Sequence, residues 1–160
     1  MDSRSDIPLS SSITPRPQAR VLNKLLRINL DNHKAYRACA ERLEEGSLRR
    51  LLKVIAQQRL GFANELRTEL VRLDSQPLDL PRFSASFYQA WAETQEQTES
   101  DHETAMLQAA IQREKASIPR YTEALDNDRF KERLRELMRA HLHRMKDTLL
   151  HLERLREKQA

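Results

Sequence analysis

Residues 18–43 read QARVLNKLLRINLDNHKAYRACAERL. Leu22, Leu26, Asn29, His33, Tyr36, Ala40 and Leu43 recur at spacings of three and four, which marks one face of an α-helix. Val21, Leu25, Ile28, Ala35 and Cys39 widen that face. The pattern predicts a helix from about Gln18 to Leu43. Glu44-Glu45-Gly46-Ser47 ends it, with Gly46 suited to a helix C-terminal cap and Ser47 to an N-cap. So short a break predicts that the next helix is antiparallel to the first.

The same reading extends along the chain. A second helix is expected from about Leu48 to Asp74, with Leu48, Leu52, Ile55, Arg59, Phe62, Leu66 and Leu73 as its stripe. Gly61 is an unexplained break within it. Pro77 and Pro81 then predict an extended connector. A short helix over about Ser84–Glu99 carries Phe87, Tyr88 and Trp91. A third long helix is expected over His102–Leu125, with Met106, Leu107, Ala110, Glu114, Ser117 or Ile118, Tyr121 and Leu125 inward. Pro119 removes one backbone hydrogen bond there and predicts a kink. The last helix, about Arg129–Glu157, turns Leu134, Leu137, Met138, His141, Met145, Thr148, Leu149, Leu152 and Leu155 inward.

Composition agrees with an all-α chain. There are two glycines in 160 residues. β-Hairpins and phosphate-cradling loops consume glycine, so a β-sandwich, a P-loop enzyme or a dinucleotide-binding domain is disfavoured. The expected architecture is a four-helix bundle over 18–160, preceded by a disordered or loosely attached tail over 1–17. A long crossover between helices two and three, carrying the short helix, makes those two parallel. The alternative is a short loop and one continuous helix over 84–125.

The net charge is +4, and all of it arises beyond residue 127. Residues 1–127 hold 18 Lys+Arg and 18 Asp+Glu, whereas 128–160 hold ten and six. The basic last helix is therefore a candidate nucleic-acid face. Glu132, Glu136 and Asp147 interleave with its bases as on a solvated helix, and no aromatic side chains alternate with them for base stacking. Nucleic acid is thus a disfavoured partner. One cysteine, Cys39, forbids an intramolecular disulfide, and no stretch is apolar enough to span a membrane or serve as a secretory signal. A cytoplasmic location is expected.

Each long helix carries polar residues where its apolar stripe should be unbroken. They are Asn29 and His33, Arg59, Glu114 and His141, with Tyr36 and Tyr121 on the same faces. All fall near mid-helix, which predicts one shared buried layer. A bundle core is where di-metal sites are built, from paired carboxylates and Glu-x-x-His. Glu-x-x-His is absent from this chain, and Arg59 stays protonated and repels a divalent cation. The expected arrangement is a buried Arg59–Glu114 pair with His141, Asn29 and both tyrosines as hydrogen-bond partners. An alternative is one metal on His33, Glu114 and His141. His141 and His143, two residues apart, cannot face one ion. No serine lies in a Gly-x-Ser-x-Gly elbow, so serine hydrolase chemistry has no support.

The order and spacing of several short matches resemble a known family. Leu22–Asp31 with Tyr36-Arg37 comes first, then Ala56-Gln57-Gln58-Arg59 with Phe62-Ala63 and Glu65-Leu66. Trp91 follows, then Arg113-Glu114 and Tyr121 with Glu123-Ala124-Leu125. Together, over residues 20–157, they resemble an uncharacterised bacterial ferritin-like, four-helix-bundle domain of unknown function. That family is similar to the rubrerythrin-like branch of the superfamily, in which a ligating Glu commonly precedes a Tyr by seven. Here Asn29 precedes Tyr36 by seven, and Glu114 precedes Tyr121 by seven. The superfamily's Glu-x-x-His falls on Arg59 and Phe62, and its counterpart near Met138 and His141. The resemblance implies the fold. It carries over neither ferroxidase nor peroxidase activity, because only Glu114 and His141 match ligand chemistry. The expectation is a non-enzymatic bundle with no cofactor, an interaction or stress-associated protein that binds an unknown protein or itself as an oligomer. The competing expectation is an iron- or manganese-binding oxidoreductase or storage protein.

Overall fold

The computed structural model describes residues 17–73, 102–127 and 129–159. The described residues form four helices: α1 Pro17–Glu41, α2 Ser47–Arg72, α3 His102–Leu125 and α4 Glu132–Gln159. The expected tail, the 75–81 connector and the short helix with Phe87, Tyr88 and Trp91 lie outside the described residues. None of the described helices is long and apolar enough to cross a membrane.

Pro17 opens α1 at a position where its missing N–H is not needed. The helix closes on tight three-residue bonds, Arg42 N to Cys39 O and Leu43 N to Ala40 O, both 3.1 Å. Gly46 is not the C-terminal cap of α1. It stands immediately before α2, where its carbonyl accepts from Arg50 N at 3.1 Å, and Ser47 is the first helical residue rather than the cap. The cap position offers no side-chain hydrogen bond. α4 starts three residues later than the sequence suggests. Asn127 uses its side-chain oxygen to accept from Arg129 N at 3.0 Å, which holds a wider turn.

Contacts fix the helix directions. Along α1, Asn29, Asn32, Tyr36 and Cys39 meet Tyr121, Ser117, Glu114 and Met106 in turn, so α1 and α3 are antiparallel. Arg133 and His141 of α4 meet Glu69 and Glu65 of α2, again in opposite order. With α1 and α2 joined as a short hairpin, α2 and α3 point the same way.

The apolar core divides into two clusters. One gathers Leu22, Leu26, Phe62, Leu66, Leu70, Leu134, Met138 and Met145. The other gathers Cys39, Leu48, Leu52, Ile55, Met106, Leu107, Ile111 and Leu152. Arg59 and Glu114 lie between them, and Asn29 and His141 lie among residues of the first cluster; all four are buried. Ser117, not Ile118, takes the inward place on α3, and Leu137, Thr148, Leu149 and Leu155 are half-buried rather than central.

Gly61 does not break α2, which runs through it, and Pro119 likewise lies within an uninterrupted α3. Gly61 is exposed, and a Cβ built on it meets nothing within 4 Å. Helical glycine is unfavourable because its unfolded backbone is freer than that of alanine. Gly61→Ala is therefore expected to raise stability by about 0.5–1 kcal/mol, read as a higher urea midpoint with unchanged slope.

Candidate functional site

The polar residues at mid-bundle form two connected groups. In the first, Arg59 of α2 reaches across to Glu114 of α3. Its Nη1 donates to Oε2 and its Nη2 to Oε1, each at 2.7 Å, with both side chains fully buried. The Tyr36 hydroxyl donates to the same Oε2, and it also lies 3.3 Å from Ala110 O. The guanidinium carbon sits 5.9 Å from the Tyr36 ring centroid and 5.7 Å from that of Phe62. Burial works against the charge on Arg59, but the Glu114 carboxylate outweighs it and holds the arginine pKa above its ordinary value. Burial, then the neighbouring Glu114 charge, push the Tyr36 hydroxyl well above the usual phenol range. Arg59 is thus a cation, Glu114 its anion and Tyr36 a neutral donor.

The second group is a directed chain. Asn29 Nδ2 donates to Leu25 O at 2.9 Å and to the Tyr121 hydroxyl at 2.8 Å. That hydroxyl lies 2.8 Å from His141 Nδ1, and His141 Nε2 lies 3.0 Å from Glu65 Oε1. A carboxylate only accepts, so Nε2 carries the ring proton, Nδ1 accepts and the Tyr121 hydroxyl donates. The imidazole stacks on Phe62, with centroids 4.0 Å apart and planes 16° apart. Burial holds the His141 pKa below its ordinary value; Glu65 opposes this, and Arg144 and Arg59 reinforce it. The histidine is neutral at pH 7. Asn29 Oδ1 is buried without a hydrogen-bond partner among the described residues.

His33 joins neither group. It is half-buried at the α1–α2 edge, where its Nδ1 lies 2.8 Å from Ala56 O. The three residues named for a single metal are therefore engaged separately: His33 with a backbone carbonyl, Glu114 with Arg59, and His141 with Glu65 and Tyr121. No group of three His, Cys, Asp or Glu side chains able to hold a metal occurs among the described residues. Two members of the layer escaped the sequence reading. Asn32 Nδ2 donates to Ser117 Oγ at 2.9 Å, and Glu65 anchors His141. Asn32 lies three residues after Asn29 and four before Tyr36, so helical spacing already put it on the same face. Glu65 is half exposed and gave no such signal. Cys39 is buried beside Met106, and burial pushes its thiol up to about 12, which keeps it a protonated, unreactive thiol.

Fold and site together define an all-α bundle of four described helices whose core is crossed by a hydrogen-bonded chain and a buried ion pair. The chain belongs to the family described as Domain of unknown function (DUF2383), which matches residues 18–127. That match takes in α1, α2 and α3, with Asn29, Tyr36, Arg59, Glu114 and Tyr121. It stops before α4 and His141, short of the 20–157 span of the resemblance. No curated protein matches the chain.

Proposed function

We propose that this chain is a non-enzymatic, ferritin-like helical bundle in which an ion pair stands where relatives of that fold hold two metals. Its role is then that of an interaction module. The parallel α2 and α3, which call for a long connection between them, support the ferritin-like reading. The observation that carries the functional reading is the two-point contact of Arg59 on Glu114. A di-metal centre needs several carboxylates and two histidines facing one point. The donor set here does not fit it. The one carboxylate fully buried among the described residues is neutralised by a permanent cation, and Asn29 supplies an amide where a carboxylate would be needed. The Phe62 ring occupies the place of a second-helix histidine. No step through a metal follows from these residues.

The basic residues of α4 do not favour nucleic acid. Arg133 is held by Glu69, Arg139 by Glu132, and His143 lies against Asp147. Elemental analysis of the purified, dialysed chain tests the proposal. Iron, manganese and zinc are expected well below one atom per chain. Stoichiometric occupancy by any of them that survives dialysis would overturn it.

A further inference from the structure

The outward face of α2 carries a charge pattern that the bundle does not use. The acids of α2 are Glu65 and Glu69, and both turn toward α4, where His141 and Arg133 engage them. The outward side is left with bases. Arg50, Lys53 and Arg72 are exposed and form no ion pair with a described acid; Arg72 stands at the edge toward α4, where it lines a recess with Glu69, Lys131 and Arg133. Arg67 is half-buried and reaches the side-chain oxygen of Asn64 at 3.3 Å.

Between these bases runs an uncharged row: Val54, Gln57, Gly61, Asn64, Thr68 and Val71, every one exposed. The spacing alternates between three and four, so the row follows the helix axis for about 26 Å at 1.5 Å per residue. Arg50 heads the row, Lys53 and Arg67 border one side, and Arg72 borders the other. Val54 and Val71, at the two ends, are 64% and 62% exposed. Gly61 sits mid-row under open space, so another backbone can approach closely there.

We propose that this face of α2 docks an acidic amphipathic helix from a partner protein. Small and apolar residues of that helix lie over Gly61 and between the valines, and its carboxylates meet Arg50, Lys53, Arg67 and Arg72. Charge complementarity selects this occupant. A second copy fits poorly. Antiparallel pairing of α2 with itself across this row sets Lys53 against Arg72, and no free acid within α2 answers either. Nucleic acid also fits poorly, because the line of closest contact is uncharged and bears no aromatic side chain for stacking. The inference rests on reading the chain as an interaction module.

The test titrates the full chain with a synthetic helical peptide of about 18 residues, matched to the length of the row. The peptide carries Ala and Leu at alternating three- and four-residue spacing and Glu on both flanks. Saturable one-to-one binding by calorimetry at physiological salt is expected. Lys53→Glu/Arg72→Glu should weaken it at least about tenfold, and so should Gly61→Gln, with a melting temperature equal to or above that of the parent chain. No saturable binding, equal binding of a shuffled peptide of the same composition, or equal affinity in the variants would overturn the proposal. So would tighter binding of a DNA duplex or of phosphatidylserine vesicles that the same variants abolish. Metal content bears on the interaction-module reading alone, and peptide affinity on the α2 face alone, so the two failures are distinguishable.

Discussion

Glu114→Ala is expected to lower folding stability by about 3–5 kcal/mol, because it leaves a buried guanidinium with no counter-charge. Arg59 is fully buried and cannot shed its proton, so no titration relieves the cost. The two hydrogen bonds from Nη1 and Nη2 are lost together, and the Tyr36 hydroxyl keeps Ala110 O as an acceptor. Arg59→Met is expected to cost a comparable amount, since it strands the carboxylate between two apolar clusters. The double change Arg59→Met/Glu114→Leu should recover most of either loss. Removing both charges also removes the desolvation penalty that the pair carries, and such replacements are often neutral or stabilising.

With Glu114→Leu as the second single variant, urea denaturation of the parent, Arg59→Met, Glu114→Leu and the double variant forms a double-mutant cycle. A coupling of several kcal/mol is expected, above the 0.5–3 kcal/mol range of ordinary contacting pairs. Thermal melts should show a fall of about 10 °C in each single variant, since 1 kcal/mol moves a chain of this size by roughly 2–4 °C. An Arg59→Met melt that superimposes on the parent melt would show that the two charges are not buried together in solution.

The helices and the membership of the polar layer were legible because both depend on helical period. Asn29, Tyr36, Arg59, Glu114, Tyr121 and His141 fall on apolar stripes at spacings of three, four and seven, and each is buried. His33 fits the same spacing yet stops at the helix edge. A stripe wider than one turn contains flank positions that periodicity cannot separate from central ones. Which residue pairs with which was legible only for Arg59 and Glu114, where opposite charge leaves one solution for two buried ions. The partners of Asn32 and His141 depend on the heights at which α2, α3 and α4 meet, and one strand of sequence does not encode those heights locally. The loop between α1 and α2 misled for a different reason. Gly46 and Ser47 have cap preferences for either neighbour, and the tight turn at Arg42 and Leu43 had already closed α1.

Acidification from pH 7 to 5 is expected to destabilise the chain through His141, and His141→Gln should remove that part of the pH dependence. The unfolded histidine titrates near 6.5, and in the folded chain burial places its pKa lower. Below about 6.5 the unfolded chain therefore binds a proton that the folded chain does not, and stability falls as pH falls, by at most about 1.4 kcal/mol per pH unit for one group. Above that value both states are neutral at this residue and its contribution is flat. The folded state resists the proton for a geometric reason as well. A proton on Nδ1 would face the Tyr121 hydroxyl, which already accepts from Asn29 Nδ2, and the hydroxyl's own hydrogen would lose its acceptor. Glu65, half exposed, attracts the proton from the other side of the ring but does not outweigh burial. Urea midpoints measured between pH 5 and 8 for the parent chain and His141→Gln test this directly. The two curves should run parallel above about pH 7 and diverge below 6.5, with the parent chain losing stability faster. Parallel curves across the whole range would mean that His141 titrates alike in the folded and unfolded chain, and the directed hydrogen bonding from Asn29 to Glu65 would then be wrong.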